Sequence, residues 1–164
     1  MISGLTPEQA LWFLPIVLPV SFYSAYTDLS RMKIRNHAVM ALVAGFAVLG
    51  LFALPFEDYA WRWTHLVVVL IVGILGNAAG LFGAGDAKFA AAAAPFIALS
   101  DLTALMYLFS GCLITGYLAH RIVRASPLRN LAPDWESWTS GRRFPMGLPL
   151  GMTLSLYCLL PFIG

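Results

Sequence analysis

The sequence predicts an all-α integral membrane protein, a bundle of six transmembrane helices. Hydrophobic residues make up 60% of the chain and charged residues only 11%, whereas soluble domains carry about 25% charged residues. A transmembrane helix needs about 20 residues, so 164 residues hold about six spans and little else. The composition leaves no room for a soluble catalytic domain, and any chemistry must lie in or beside the bilayer.

Six apolar runs are the candidate spans, and only the fourth is clearly short of membrane-spanning length. They cover residues 10–26, 38–54, 65–82, 87–99, 102–119 and 144–163. We expect the first run to be retained in the protein, because the segment before it lacks the basic region of a signal peptide. The five alanines at positions 90–94 predict close helix packing.

The basic residues predict the orientation, because Lys and Arg are kept on the cytoplasmic side of short loops. In a six-span arrangement nine of them share one side: Arg31, Lys33, Arg35, Lys88, Arg121, Arg124, Arg129, Arg142 and Arg143. Arg62 falls on the other side, with Glu8, Glu57, Asp58 and Asp101. We therefore expect both termini to face outward, into the periplasm if the host is a Gram-negative bacterium. The net charge of +2 reports this topology and does not argue for nucleic-acid binding.

Aromatic clusters in two polar connections predict contacts with lipid headgroups. Tyr59, Trp61 and Trp63 are expected to form an interfacial belt on the outer face. Trp135 and Trp138 lie in the longer segment 126–143, which we expect to be a cytoplasmic loop resting on the membrane. The alternative for that loop is docking of a partner.

Asp28 and Asp86 are the acids that could carry chemistry, because a carboxylate at membrane depth is costly and usually functional. Asp28 ends the first span and Asp86 opens the fourth, with two complete spans between them. The chain therefore crosses the bilayer and returns, which places both carboxylates on the cytoplasmic side at similar depth. Such a pair could share one site.

Two neighbouring carboxylates cannot both ionise easily, so one stays charged while the other keeps its proton. The charged member can activate a water and the protonated member can donate to the attacked carbonyl, which is the chemistry of an aspartic protease. This chemistry needs no metal or covalent nucleophile, and no cofactor is expected. Gly83 and Gly85 would let the backbone bend sharply and let a substrate strand come close.

Simpler interpretations remain open for each of these residues. Asp86 could be only the N-cap of a helix, and Asp28 could be an acid paired with Arg31 or Arg35. Lys88 could tune the carboxyl pair or hold substrate, or it could only mark topology. Pro145, Gly147 and Pro149 lie near the start of the last predicted span. They could shape a substrate groove, or they could be an ordinary helix start.

Three segments together resemble the type IV prepilin peptidase family of GxGD membrane aspartic peptidases. The first is DLSRMKIRN, with Asp28, Ile34 and Asn36. The second is the GxGDxK motif from Gly83 to Lys88, and the third is FPMGLPLG, residues 144–151, with Pro145, Gly147 and Pro149. GxGD alone is short, but the three segments occur in order on six predicted spans.

The resemblance implies a single membrane-embedded prepilin peptidase domain over residues 1–164, with Asp28 and Asp86 as the catalytic aspartates. It also implies that the enzyme removes the short basic leader of prepilins or pseudopilins at the cytoplasmic face, cutting after a glycine. Larger members carry a cytoplasmic insertion with CxxC motifs and methylate the new N-terminus. This chain has only about ten residues between its first two predicted spans and no CxxC motif. It therefore resembles the short, single-function branch that serves Flp or tight-adherence pili, and methyltransferase activity is not expected.

Two other functions compete with this hypothesis. A presenilin-like GxGD intramembrane protease would carry its aspartates on consecutive spans, with a PAL motif after them. A small transporter or assembly protein would use acids near mid-membrane to bind protons or cations. The remaining candidate ligands are weak: His37, His65 and His120 lack metal-ligand spacing and are expected to be interfacial, and Cys112 and Cys158 are expected to be small core residues.

Overall fold

The computed structural model describes residues 4–141 and 143–163, and every regular element in that part of the chain is helical. Its six α-helices are α1 (Pro7–Arg31), α2 (Asn36–Ala53), α3 (Phe56–Ala78), α4 (Ala84–Ala93), α5 (Leu102–Ala125) and α6 (Gly147–Leu159). Single 3-10 turns lie at Ala94–Phe96, Leu99–Asp101, Pro127–Leu131, Glu136–Trp138 and Leu160–Phe162. The all-α prediction is confirmed.

Four of the helices are long and apolar enough to cross a membrane. They are Pro7–Arg31, Asn36–Ala53, Phe56–Ala78 and Leu99–Ala125, the last counted with the 3-10 turn before α5. The ten residues of α4 span only about 15 Å, against a hydrocarbon core of about 30 Å. Pro95 follows directly in the chain and has no N–H to continue the helix. Helix length therefore supports four of the six predicted spans.

The start of α3 differs from the prediction. The helix begins at Phe56, well before the predicted span at 65, with Glu57 and Asp58 in its first turn, where acidic side chains favour a helix start. Two members of the predicted aromatic belt therefore sit on a helix face that turns inward. Tyr59 and Trp63 pack against the core, and of the three only Trp61 is exposed. The belt prediction was therefore wrong for Tyr59 and Trp63.

The core is centred on the Phe46 ring of α2. Its centroid lies 6.1 Å from that of Phe13 in α1, 5.4 Å from that of Phe96 after α4, and 5.5 Å from that of Tyr59 in α3. Alanines 91–94 of the adjoining segment are buried, as close helix packing requires. This cluster fixes the first four helices relative to one another.

Helices α1 and α6 pack backbone to backbone through two glycines four residues apart. A Cβ at Gly151 would lie 2.7 Å from the Ser21 carbonyl oxygen, and one at Gly147 would lie 2.8 Å from Asp28 Cβ. Small residues at this spacing let membrane helices approach closely. The GLPLG sequence, which belongs to the third of the segments that carry the family resemblance, is therefore also a helix-packing motif.

Several contacts gather the ends of the helices at one end of the bundle, which we call the Asp28 end. The Asp28 side chain bonds Gly147 at the start of α6, and Lys88 of α4 bonds Asn36 at the start of α2. The carboxyl end of α5 joins them through ring contacts of His120 with Phe144 and Trp138. The basic residues predicted to share one side lie here, except that Arg142 lies outside the described residues. Arg62 lies at the opposite end, where it donates to the carbonyls of Phe96 and Gly4.

Residues 126–141 lie across the Asp28 end and pack on the protein. Trp135 and Trp138 are half-buried and stack on each other at 5.5 Å. The Trp135 ring meets Tyr26 of α1 edge-on at 6.0 Å, and Trp138 Nε1 donates to the Ala132 carbonyl at 2.8 Å. Both indoles therefore tie the segment to α1 and α5, which corrects the prediction that they rest on headgroups.

Candidate active site

Asp28 lies in the last turn of α1 and is only 5% exposed. Its Oδ2 accepts a 2.6 Å hydrogen bond from the Gly147 N–H. The Arg31 and Arg35 side chains are exposed, and in the described ranges neither forms an ion pair with this carboxylate. The structure therefore does not support the interpretation of Asp28 as an ordinary partner of a nearby arginine.

Gly147 supplies both the donor and the space that Asp28 needs. It is the first residue of α6, where a helix leaves backbone N–H groups without an intrahelical acceptor. A charged acceptor shortens and strengthens such a bond. Because a Cβ here would press on the Asp28 side chain, only glycine allows the carboxylate to sit directly on this N–H.

Asp86 is the third residue of α4, and its carboxylate reaches back to the start of the helix. Oδ2 accepts from the Gly83 N–H at 3.2 Å, and Gly83 rather than Asp86 holds the N-cap position. The side chain is half-buried. Burial raises the pKa of Asp86 above its ordinary value, and the Gly83 hydrogen bond partly opposes that rise. Asp86 therefore caps the start of α4, but from the third residue of the helix and not from the N-cap position. Its carboxylate stays partly exposed to solvent.

The glycines of GAGD do not act as the sequence suggested. Gly83 is extended, with φ −71° and ψ 149°, and Gly85 is part of α4, so neither makes a sharp bend. The reversal after α3 occurs at Gly80, with φ +74°, a conformation that favours glycine. Gly83 is needed for space, because a Cβ there would lie 2.9 Å from Asp86 Oδ2. Gly85 only makes ordinary contact with Ile34.

The two carboxyl groups come together although 57 residues of chain lie between them. The start of α4 lies against the connection between α1 and α2, where a Cβ at Gly85 would meet Ile34 Cβ at 3.5 Å, so both groups lie at the Asp28 end. Each has one oxygen fixed by a backbone N–H, from Gly147 or Gly83. In residues 4–141 and 143–163 the second oxygen of each accepts no protein hydrogen bond. Each carboxyl group therefore keeps one oxygen free of protein hydrogen bonds, and the two groups differ in exposure.

The remaining predicted site residues surround this pair without bonding it. Lys88 is exposed, and its Nζ lies 3.4 Å from Asn36 Oδ1, so it links α4 to α2 and is not bonded to either carboxylate. Pro145 is fully buried before α6, and Pro149 lies in the first turn of that helix. The start of α6 is therefore intact, as in the ordinary helix-start interpretation.

The three histidines differ in environment, and His65 is half-buried, with no hydrogen-bond partner for its Nε2 among the described residues. His37 is exposed and bonds the Tyr23 hydroxyl at 2.7 Å, whereas His120 is 5% exposed within an aromatic stack. The prediction of an interfacial role was wrong for His120. Among the described residues no group of three or more His, Cys, Asp or Glu side chains could hold a metal ion. The absence of a cofactor stays a prediction.

Sequence reasoning missed a buried polar cluster at the opposite end. Asp101, expected to be an indifferent outer-face acid, is 2% exposed and accepts hydrogen bonds from the Gly4 N–H and the Tyr157 hydroxyl. Tyr157 in turn accepts from the Ala98 N–H at 3.0 Å. Arg62 was the available signal, because it was the one basic residue predicted on that side. A charged residue in a membrane segment usually has polar partners, so Arg62 indicated such partners nearby.

Comparison with known proteins gives one match. The model of a family described as the type IV leader peptidase family matches residues 15–119, which is more than half of the chain. The matched range includes Asp28, Asp86 and the first two motifs, whereas the third motif at 144–151 lies beyond it. No curated protein and no solved structure matches.

Proposed function

The chain belongs to the type IV leader peptidase family, and from that premise we propose that it is an aspartic endopeptidase that removes the basic leader of prepilins or pseudopilins. Membership in the family makes it a peptidase and therefore a hydrolase. The proposal adds Asp28 and Asp86 as the catalytic residues and a glycine before the cleaved bond. It also adds the absence of any cofactor.

One observation carries the proposal: Asp28 and Asp86, from α1 and α4, lie at the same end of the bundle, and each is oriented by a single backbone N–H. A structural acid at this depth would be expected to end in a salt bridge or a fully satisfied network. These two retain one oxygen each for another partner. Their unequal burial also favours unequal roles, as in other carboxylate pairs that work as acid and base.

The mechanism requires only water and the two carboxyl groups. The ionised carboxylate takes a proton from the water as its oxygen attacks the peptide carbonyl, while the protonated carboxyl donates to the carbonyl oxygen. Collapse of the tetrahedral intermediate breaks the C–N bond, and the amine leaves with a proton from the pair. The products are a leader ending in a carboxylate and a mature pilin with a free amine, so atoms and charge balance.

The basic residues around the pair support a cytoplasmic site. Because Lys and Arg flank the cytoplasmic ends of spans, we place the Asp28 end in the cytoplasm of a bacterial inner-membrane protein. Both chain termini would then be periplasmic. A prepilin with a basic leader would be oriented by the same rule and would bring its leader to the same side. In this arrangement α4 and α6 are the fourth and sixth membrane segments. Both are short helices that are largely buried in the protein.

The short connection between α1 and α2 supports the Flp or tight-adherence branch. Helix α1 ends at Arg31 and α2 begins at Asn36, so only residues 32–35 connect them. That space cannot hold a folded insertion with CxxC motifs. We therefore propose a peptidase that does not methylate its product.

The test is leader removal from a co-expressed Flp-type prepilin, followed by mass spectrometry of the pilin N-terminus. We expect Asp28→Asn and Asp86→Asn each to lower the cleavage rate by about 100-fold to 10,000-fold, the usual contribution of general acid–base catalysis. The matched control is Asp134→Asn, an exposed acid of the segment 126–143, which should cleave normally. Full processing by the Asp86→Asn protein would refute the proposal. Asp101 is unsuitable as a control because it is buried in a hydrogen-bonded cluster.

A further inference from the structure

A cavity of about 390 Å³ lies at the carboxyl end of α5, between this helix and the chain before α6. Its walls are basic and aromatic, and no carboxylate is among the described residues that line it. The side chains are those of Tyr117, His120, Arg121, Arg124, Arg143 and Phe144. The proposed catalytic chemistry uses none of them.

The three arginines hold positive charge around this space. Arg124 Nη1 donates to the Gly141 carbonyl at 3.1 Å, which fixes one guanidinium at the cavity wall. The Arg121 guanidinium lies over the Tyr117 ring at 5.8 Å, a cation–π contact that orients it. Guanidinium groups placed together without a carboxylate repel one another, and an anion between them would relieve that repulsion.

His120 provides a second, independent indication of a ligand. Its ring is held by stacking on Trp138 at 5.0 Å and by the edge of Phe144 at 5.7 Å. Its Nε2 is buried, and among the described residues it has no hydrogen-bond partner. Buried polar atoms are seldom left unpaired, and because His120 lines the cavity, a polar group bound there could supply the partner that this nitrogen lacks.

We propose that this cavity binds a phosphate group, carried by an anionic phospholipid or by free phosphate. Arginine forks match the oxygens of phosphate, and the His120 nitrogen can take a further oxygen. The position at the end of a membrane-spanning helix favours the lipid as the source, since basic residues there attract anionic headgroups. The basic leader of the proposed substrate would be repelled, so the site is separate from substrate binding and does not depend on the proposed peptidase activity.

The test measures binding to the full-length detergent-solubilised protein. Phosphatidylglycerol, phosphatidylcholine and inorganic phosphate are titrated separately, and bound lipid is counted by native mass spectrometry. We expect phosphatidylglycerol to bind and phosphatidylcholine not to compete. Arg121→Gln and Arg143→Gln should each weaken phosphatidylglycerol binding by about fivefold, the value of one basic contact at a membrane surface. His120→Phe, which keeps the aromatic stack, should also weaken it.

The matched control is Arg129→Gln, an exposed arginine of the same end that does not line the cavity. Its binding should stay normal, and thermal unfolding in phosphatidylcholine establishes that each variant is folded. Binding of inorganic phosphate with the same dependence on Arg121 and Arg143 would support the site and identify the free anion as the source. Equal losses in Arg129→Gln and Arg121→Gln, or no binding of either anion, would overturn the proposal.

Discussion

The Gly147 N–H and the Asp28 carboxylate form a 2.6 Å hydrogen bond across 119 residues of sequence. This bond joins the carboxyl end of α1 to the first residue of α6, where the two helices are in backbone contact. Any change that separates these helices therefore moves one of the two proposed catalytic groups. The position of Asp28 depends on the small size of Gly147 as much as on α1 itself.

Replacing Gly147 with alanine should disable the enzyme. The added methyl would lie 2.8 Å from Asp28 Cβ and 3.1 Å from its Oδ2, and such overpacking typically costs about 1–3 kcal/mol. We expect leader cleavage to fall much further than stability, because the carboxylate must turn away from its donor. Gly111→Ala is the control, since a Cβ there meets nothing within 4 Å. Normal cleavage and unfolding of Gly147→Ala would contradict the assigned contact.

The sequence predicted that Asp28 and Asp86 lie at the same end of the bundle, because that prediction needs only span counting and charge. Apolar runs show where the chain crosses, and two crossings between two acids return the second acid to the side of the first. The same counting missed the ends of the helices. Helix α3 starts at Phe56 because an amphipathic first turn can face the core, and hydropathy alone scores that turn as polar.

The contacts made by individual side chains could not be predicted in this way. The GLPLG spacing was visible, but nothing in it indicated that Gly147 faces Asp28 rather than another helix. Asp101 was assigned only to the outer side of the membrane, because it lies between two predicted spans. Its burial depends on Tyr157, which is 56 residues away and meets it only in the folded bundle.

Asp86→Asn should leave the protein as stable as the wild type or more stable at neutral pH, although we expect it to slow cleavage strongly. Burial raises the pKa of Asp86 above its ordinary value of 3.8, so the ionised form is destabilising in the folded state. That penalty is present above the raised pKa and disappears as the pH falls below 3.8, where folded and unfolded states are both protonated. Asparagine lacks the charge and can still accept from the Gly83 N–H.

The measurement is thermal unfolding of both proteins in detergent between pH 3 and pH 8, a range chosen to bracket the ordinary carboxyl pKa. The difference between variant and wild type should grow as pH rises and vanish at the acidic limit. Asp134→Asn, an exposed substitution of the same kind, should give no such trend. A variant that is less stable at neutral pH would mean that the charge of Asp86 is compensated by a partner.

Lys88→Met should not change the pH dependence of leader cleavage. The ammonium group bonds Asn36 at 3.4 Å and neither carboxylate, and a single exposed contact of this kind contributes less than about 1 kcal/mol. We expect the pH profile of kcat/KM to keep its shape, with only a small loss of thermal stability. Lys33→Met, another exposed lysine of the Asp28 end, is the control. A shifted pH profile in Lys88→Met alone would show that this lysine tunes the carboxyl pair.

Tyr157→Phe should destabilise the bundle without touching the proposed catalytic residues. The hydroxyl accepts from the Ala98 N–H at 3.0 Å and donates to Asp101 Oδ2 at 2.9 Å. Its removal leaves a buried N–H without an acceptor, which costs about 1–3 kcal/mol. The unfolding midpoint should therefore fall, while the protein that remains folded should cleave with unchanged kcat. Tyr107→Phe removes a hydroxyl from a side chain that is 77% exposed and should leave both quantities unchanged. A loss of kcat in fully folded Tyr157→Phe protein would instead couple this cluster to the Asp28 end, which lies at the other end of α6.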